Sequence, residues 1–204
     1  MVAFAVYEEA TGRVLRAGTM ADEASARLQA QAGEAIYLGQ VPPLHFIASG
    51  KPKSMGSQPS PVHVFDWAAQ TWIDPRTLEE IRADRWSEIK QQRDALESGG
   101  FAYLGQWLQS DERSVLRINT RANAAREALL AGQPLTTYWK AADNTLMELD
   151  AHQMAAMSTA LSTYASELHT TAGLLLAQIA AATTPAEVQA VAWPTTNIQE
   201  QPHV

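Results

Sequence analysis

The sequence contains no cysteine. Disulfides, thiolate metal sites and cysteine nucleophiles are therefore excluded outright. Charge is scarce as well: 18% of residues are charged, against about a quarter in ordinary globular chains. What charge there is leans acidic, with 15 Lys and Arg against 22 Asp and Glu, a formal net of −7. The cations are scattered singly among acids along the chain. A sequence-independent nucleic-acid binder needs a clustered basic surface to displace counterions, so no nucleic-acid partner is expected. Long apolar runs are also missing. Ala172 to Ala182 is about half a bilayer span, so no membrane partner is expected. The N-terminus shows no basic start followed by an apolar core, so no signal peptide is expected. The absence of cysteine suits synthesis in a reducing cytoplasm.

Motifs for chemistry are equally thin. The five histidines, His45, His63, His152, His169 and His203, form no i, i+4 pair and no HExxH pattern. His45 and His63 lie in β-type sequence and are expected to pack or face solvent rather than hold a metal. Asp66, Asp74, Asp143 and Asp150 stand at turns or helix starts, where free backbone N–H groups want an acceptor. Nothing suggests the paired carboxylates of a glycosidase. No nucleophile elbow, phosphate-binding glycine loop or Walker pattern occurs. We expect no enzyme and no cofactor.

What is present is a chain of 204 residues, 46% of them hydrophobic, enough for one large domain or two small ones. A low-charge surface leaves weakly polar patches, which favour permanent partners. Val2 to Tyr7 and Val14 to Arg16 read as paired strands about the turn Ala10-Thr11-Gly12-Arg13. Ala21 to Gln31 resembles a short helix; Ala35 to Leu38 and His45 to Ala48 read as strands. Gly50 to Pro61, with Pro52, Pro59 and Pro61, is expected to be an exposed loop. Val62 to Trp67 and Thr71 to Asp74 form a hairpin. This β-rich material, residues 1–74, holds too little apolar sequence for a large core and is expected to act as an attachment unit.

From Asp74 the pattern becomes helical. Asp74 and Pro75, or Thr77 with Glu80, offer capping arrangements. Leu78, Ile81, Arg85, Ile89, Gln92 and Leu96 follow helical spacing. Ser98-Gly99-Gly100 ends that helix, and Phe101 to Leu108 doubles back through Gly105. Ser110 or Asp111 opens a second helix, Thr137 to Leu149 a second hairpin, and Asp150 a long helix to about Ala182. Thr184-Pro185 starts a last short helix ending near Trp193. The expected fold class is α+β, mainly helical. A small β-rich unit precedes a helical domain, 75–193, with two short hairpins and one long helix; a loose polar tail follows at 194–204.

Two groups of side chains are expected to meet partners. Trp67 and Trp72 share one small hairpin, and at least one should seal it to a partner or to the helical domain, whereas Trp86 and Trp107 suit a core. On the long helix, Met154, Met157, Leu161, Tyr164, Leu168, Thr171 and Leu175 alternate by three and four positions, a coiled-coil-like seam. That seam fits two arrangements. It packs on the helix from Asp111 to Ala131 inside one domain, or part of it projects to meet other copies or a fibre.

One ordered set of residues carries a resemblance. It runs Arg85-Trp86-Ser87-Glu88-Ile89-Lys90, Arg93-Asp94, Gly99-Gly100-Phe101, Gln109-Ser110-Asp111, Tyr138-Trp139-Lys140-Ala141-Ala142-Asp143, and then Leu149 to Gln153. It resembles a helical domain of unknown function common in bacteriophage tail and tail-fibre-associated proteins. Thr11 to Gly18, Gly33-Glu34-Ala35 and His45-Phe46-Ile47 look like the start of small phage tail proteins. The resemblance implies a virion or assembly context and no reaction. A structural tail protein bound to a tail-fibre or baseplate protein is the leading expectation, made in the host bacterial cytoplasm and located in the virion tail. A fibre-assembly chaperone absent from the mature particle and a receptor- or glycan-binding adhesin are the alternatives.

Overall fold

The computed structural model describes residues 1–194. The expected loose tail therefore lies, apart from Pro194, outside the described residues. The chain divides into two compact units, Met1–Arg76 and Thr77–Val204.

In the first unit, β1 (Val2–Glu8) pairs antiparallel with β2 (Val14–Met20) on one side and β3 (Glu34–Leu38) on the other. Helix α1 (Glu23–Arg27) is capped by Asp22, whose carboxylate accepts from the Ser25 N–H at 2.8 Å. Its Ala26 packs with Phe4, Val6, Ile36 and Leu38 in a small core. Two hairpins follow: β4 (His45–Ala48) with β5 (Lys51–Ser54), and β6 (Val64–Asp66) with β7 (Thr71–Ile73). The Ile47 N–H donates to the Gly12 carbonyl at 2.8 Å and so ties the first hairpin to the β1–β2 turn. Gly12 has φ +75, and a Cβ there would stand 2.0 Å from the Ile47 oxygen, so only glycine fits this approach. Strand β5 lies inside the stretch expected to be a loop. Pro52 pairs with Ile47 in that two-stranded sheet, where proline is tolerated because a strand edge leaves its missing N–H unneeded.

The second unit is built on α2 (Leu78–Ser98), α3 (Glu112–Leu130), α4 (Ala151–Ala181) and the short α5 (Pro185–Ala190). Their starts follow from local chemistry. Thr77 and Glu80 form a capping box, with Thr77 N–H to Glu80 Oε2 at 2.7 Å and Glu80 N–H to Thr77 Oγ1 at 3.2 Å. Asp150 with Gln153 and Thr184 with Glu187 repeat that box, and Asp111 caps α3. Each satisfies backbone N–H groups that the first turn leaves unpaired. Asp74 does not cap α2; its carboxylate takes the Arg76 N–H and guanidinium instead, the latter at 2.6 Å.

Helix α4, 31 residues and about 45 Å long, is the spine of this unit. Its first half packs on α3 and on two hairpins, β8 (Phe101–Tyr103) with β9 (Gln106–Leu108) and β10 (Thr136–Lys140) with β11 (Leu146–Asp150). There Phe101, Leu108, Ile118, Trp139, Leu149 and Met154 form one buried cluster. Its second half packs on α2 and α5 through Ile81, Ile89, Leu175, Ile179 and Val188. Two arginines of α2 close the far end. Arg82 donates to the Ala182 carbonyl at 2.7 Å and Arg85 to the Val191 carbonyl at 2.7 Å, which satisfies acceptors where the chain leaves helical geometry.

The expectation of a mainly helical chain is corrected. The described residues are 42% helical and 25% strand, a mixed α+β fold of several small antiparallel sheets. The physical reason is the brevity of the strands. Three- to five-residue hairpin arms carry little periodic signal, yet they add up beside helices that announce themselves by long apolar spacing.

A bidentate ion pair reinforces the first sheet. Arg16 on β2 holds Glu34 on β3, with contacts of 2.8 and 2.6 Å. The guanidinium hydrogen bonds hold the Glu34 carboxyl at about 2, well below its usual 4.5. A carboxylate with a depressed folded-state pKa stabilises the fold above its unfolded value and loses that contribution as pH falls through the folded one. Stability supplied by this pair is thus present above pH 4.5 and fades toward pH 2. Urea midpoints of the Glu34→Gln protein should fall less steeply across that window than those of the wild type. Parallel curves would show that the pair contributes nothing.

Candidate functional site

The aromatic side chains of the first unit gather on one face of the β6–β7 hairpin. Phe65 and Trp72 pair directly across the strands and therefore share a face. The Phe65 ring lies 5.4 Å from Trp72, 4.9 Å from Trp67 and 5.7 Å from Phe46 of β4. The Trp contacts are edge-on, the arrangement favoured by ring quadrupoles. Trp72 Nε1 donates to the Met55 carbonyl at 2.8 Å, and the Arg13 guanidinium sits 5.5 Å above Trp67, a cation–π contact. Both tryptophans are half-buried. Phe65 and Trp72 tie this hairpin to the preceding one and its exit, through Phe46 and Met55, while Trp67 packs on Phe65 and Arg13 within the same unit.

The opposite face of the same hairpin is bare. Val64 and Ile73 form the neighbouring cross-strand pair, so they project away from the aromatic cluster. They are 48% and 37% exposed, and Val62 beside them is also exposed. The sequence reading singled out the tryptophans and missed these three. The signal was there in the alternation Val62, Val64 against Phe65, Trp67, once the hairpin register is known.

The α4 stripe is spent on the core. Met154 and Met157 are completely buried, and Leu161, Leu168 and Leu175 are buried as well. Tyr164 is half-buried, and its hydroxyl donates to the Leu96 carbonyl at 3.1 Å; burial raises its pKa, with Glu97 adding to the effect. These six side chains therefore form no partner surface, which corrects that expectation. Their spacing serves two intradomain neighbours in succession, α3 and then α2.

The depressions on the surface of the second unit include two lined by polar side chains. A groove of about 800 Å³ between α3 and α4 is lined by hydroxyls, including Ser162, Ser166 and Thr170. Those of Ser166 and Thr170 donate back to carbonyls one turn earlier at 2.8 Å. The other depression, about 470 Å³, lies between α3 and the β10–β11 hairpin and is lined by Arg117, Arg121, Tyr138, Lys140 and Asn144 among others. Sequence reading missed this convergence, because its cations come from separate elements. Among the described residues no group of three or more His, Cys, Asp or Glu stands where a metal ion could be held. His45 contacts the Pro43 carbonyl at 2.9 Å, and His63 the Ser60 hydroxyl at 2.8 Å. No described helix is long and apolar enough to cross a membrane.

No curated protein and no solved structure matches the chain. One family model does, that of a domain of unknown function (DUF4376), over residues 80–192. The match covers more than half of the sequence and falls inside the second unit, so the chain belongs to the DUF4376 family.

Proposed function

We propose that the protein is a non-enzymatic structural component of a bacteriophage tail, attached to a tail-fibre or baseplate protein through its first unit. The exposed apolar pair Val64 and Ile73 carries this reading. The hairpin that bears them is fixed from behind by four aromatic rings, so the face is rigid and costs little conformational entropy to dock. Exposed apolar side chains on a preorganised element are what a permanent protein contact uses. The ordered resemblance to phage tail proteins supplies the context, and the helical unit serves as the body that the attachment unit carries.

The experiment is mass spectrometry of purified virions carrying either wild-type protein or the Val64→Asp, Ile73→Asp variant. Both positions are surface sites, so the variant should fold. Wild-type protein should stay with the particles at a fixed ratio to the fibre protein. The variant should be depleted by about tenfold or more, as loss of an apolar anchor pair predicts. Equal retention of the folded variant would refute attachment through this face.

A further inference from the structure

We propose that the cleft between α3 and the β10–β11 hairpin binds a carboxylate-bearing saccharide. Three cations, Arg117, Arg121 and Lys140, line this cleft of about 470 Å³ and no carboxylate does, in a chain whose formal charge is −7. Arg117 and Arg121 stand one turn apart on α3, and Lys140 ends β10. Arg121 is held in place from two sides. It donates to the Tyr138 carbonyl at 2.8 Å, and its guanidinium lies 5.3 Å over the Trp139 ring. Most of its N–H donors remain unused. The side chains of Arg117 and Lys140 make no hydrogen bond or ion pair with any described residue. Like charges gathered without counter-charge repel one another, and a bound anion relieves that repulsion.

The size and the remaining walls select the anion. The volume lies in the range of small-molecule sites and far exceeds that of a bare inorganic ion. Gln109 and Asn144 add amide groups to the lining, which can donate to and accept from ring hydroxyls. Tyr138 is 53% exposed at the rim, and Leu146 is exposed beside it; together they give the apolar face of a pyranose a surface to rest on. A guanidinium matches a carboxylate through paired N–H donors. An acidic peptide adding as a strand fits less well, because the Tyr138 carbonyl of β10 is already engaged by Arg121.

The test measures binding of a galacturonic-acid trimer and of sialyllactose to the full-length protein by titration calorimetry at low salt, with neutral lactose and a tri-glutamate peptide as comparisons. The wild type should bind at least one acidic sugar saturably, about tenfold or more tighter than lactose, with affinity falling as salt is raised. The Arg117→Ala, Lys140→Ala variant should lose about tenfold or more in affinity while keeping the wild-type circular dichroism spectrum, since both side chains are exposed. A spectrum that changed would shift the test to the single Lys140→Ala variant, with the same loss expected. Unchanged affinity in a folded variant would overturn the site. Tri-glutamate binding as tightly as the sugars would overturn the saccharide in favour of an acidic polypeptide. Sugars binding no tighter than lactose would overturn the proposal as a whole.

Discussion

Replacing Leu161 and Leu168 together by aspartate should unfold the helical unit. Both side chains are buried, and Leu161 sits in the cluster with Phe101, Leu108 and Met157. Removing a buried leucine costs about 2–5 kcal/mol through lost transfer energy and the cavity left behind. Each new carboxylate would in addition be buried without a partner, which costs more unless the group is driven neutral. Two such changes consume most of the roughly 5–15 kcal/mol by which a domain is stable. Circular dichroism should therefore show loss of helix and of the cooperative thermal transition. A variant that kept its helical melt and merely sedimented as a smaller species would mean that the stripe is an interface, contrary to its burial.

Gly100→Ala should be the most damaging single methyl group in the second unit. Gly100 has φ +114, and a Cβ there would lie 2.2 Å from Trp107 Nε1 and 2.6 Å from the Leu108 carbonyl. The backbone conformation alone costs a non-glycine residue about 1–3 kcal/mol. The overlap adds a packing cost of about 1–3 kcal/mol. Relief would require Trp107 to move, and its Nε1 donates to the Gly99 carbonyl at 3.0 Å. The Gly100 N–H is also engaged, donating to Ser110 Oγ at 2.9 Å, while that hydroxyl donates to the Glu97 carbonyl. We expect a loss of about 3 kcal/mol or more in urea unfolding followed by tryptophan fluorescence. Gly105→Ala is the control. Gly105 also has positive φ, +77, but a Cβ there meets open space, so about 1–2 kcal/mol is expected. Equal losses at the two sites would mean that the contact with Trp107 and Leu108 has no energetic weight.

The parts of this fold that were legible in the sequence are those settled within one turn of chain. Thr77 with Glu80, Asp150 with Gln153 and Thr184 with Glu187 cap their helices through contacts three residues apart. Leu104 and Gly105, both at positive φ, turn the β8–β9 hairpin where Gly105 suggested a turn. The parts that were not legible depend on distant chain. Proline at position 52 argues locally against a strand, and only pairing with Ile47 makes one. The spacing of Met157, Leu161 and Leu168 suits a seam between molecules as well as a seam within one. Only the packing of α2 and α3 on either half of α4 decides between them.

The two proposed surfaces follow the same rule. Arg117, Arg121 and Lys140 look dispersed when read in order, and a helix and a hairpin arm bring them to one cleft. Val64 and Ile73 look like ordinary strand residues until register places them together, opposite the aromatic cluster. The tryptophans drew attention because their size suits anchors. Their contacts show that they brace the hairpin from inside their own unit.

Whether the protein remains in the tail as a built-in part, as proposed above, is tested most directly by quantitative mass spectrometry of wild-type virions through successive steps of purification. Peptides from both units, Met1–Arg76 and Thr77–Val204, should persist at a constant ratio to the fibre and baseplate proteins. Their disappearance alongside free protein, while the fibres stay attached, would contradict the account and identify a factor that leaves the particle once assembly is complete.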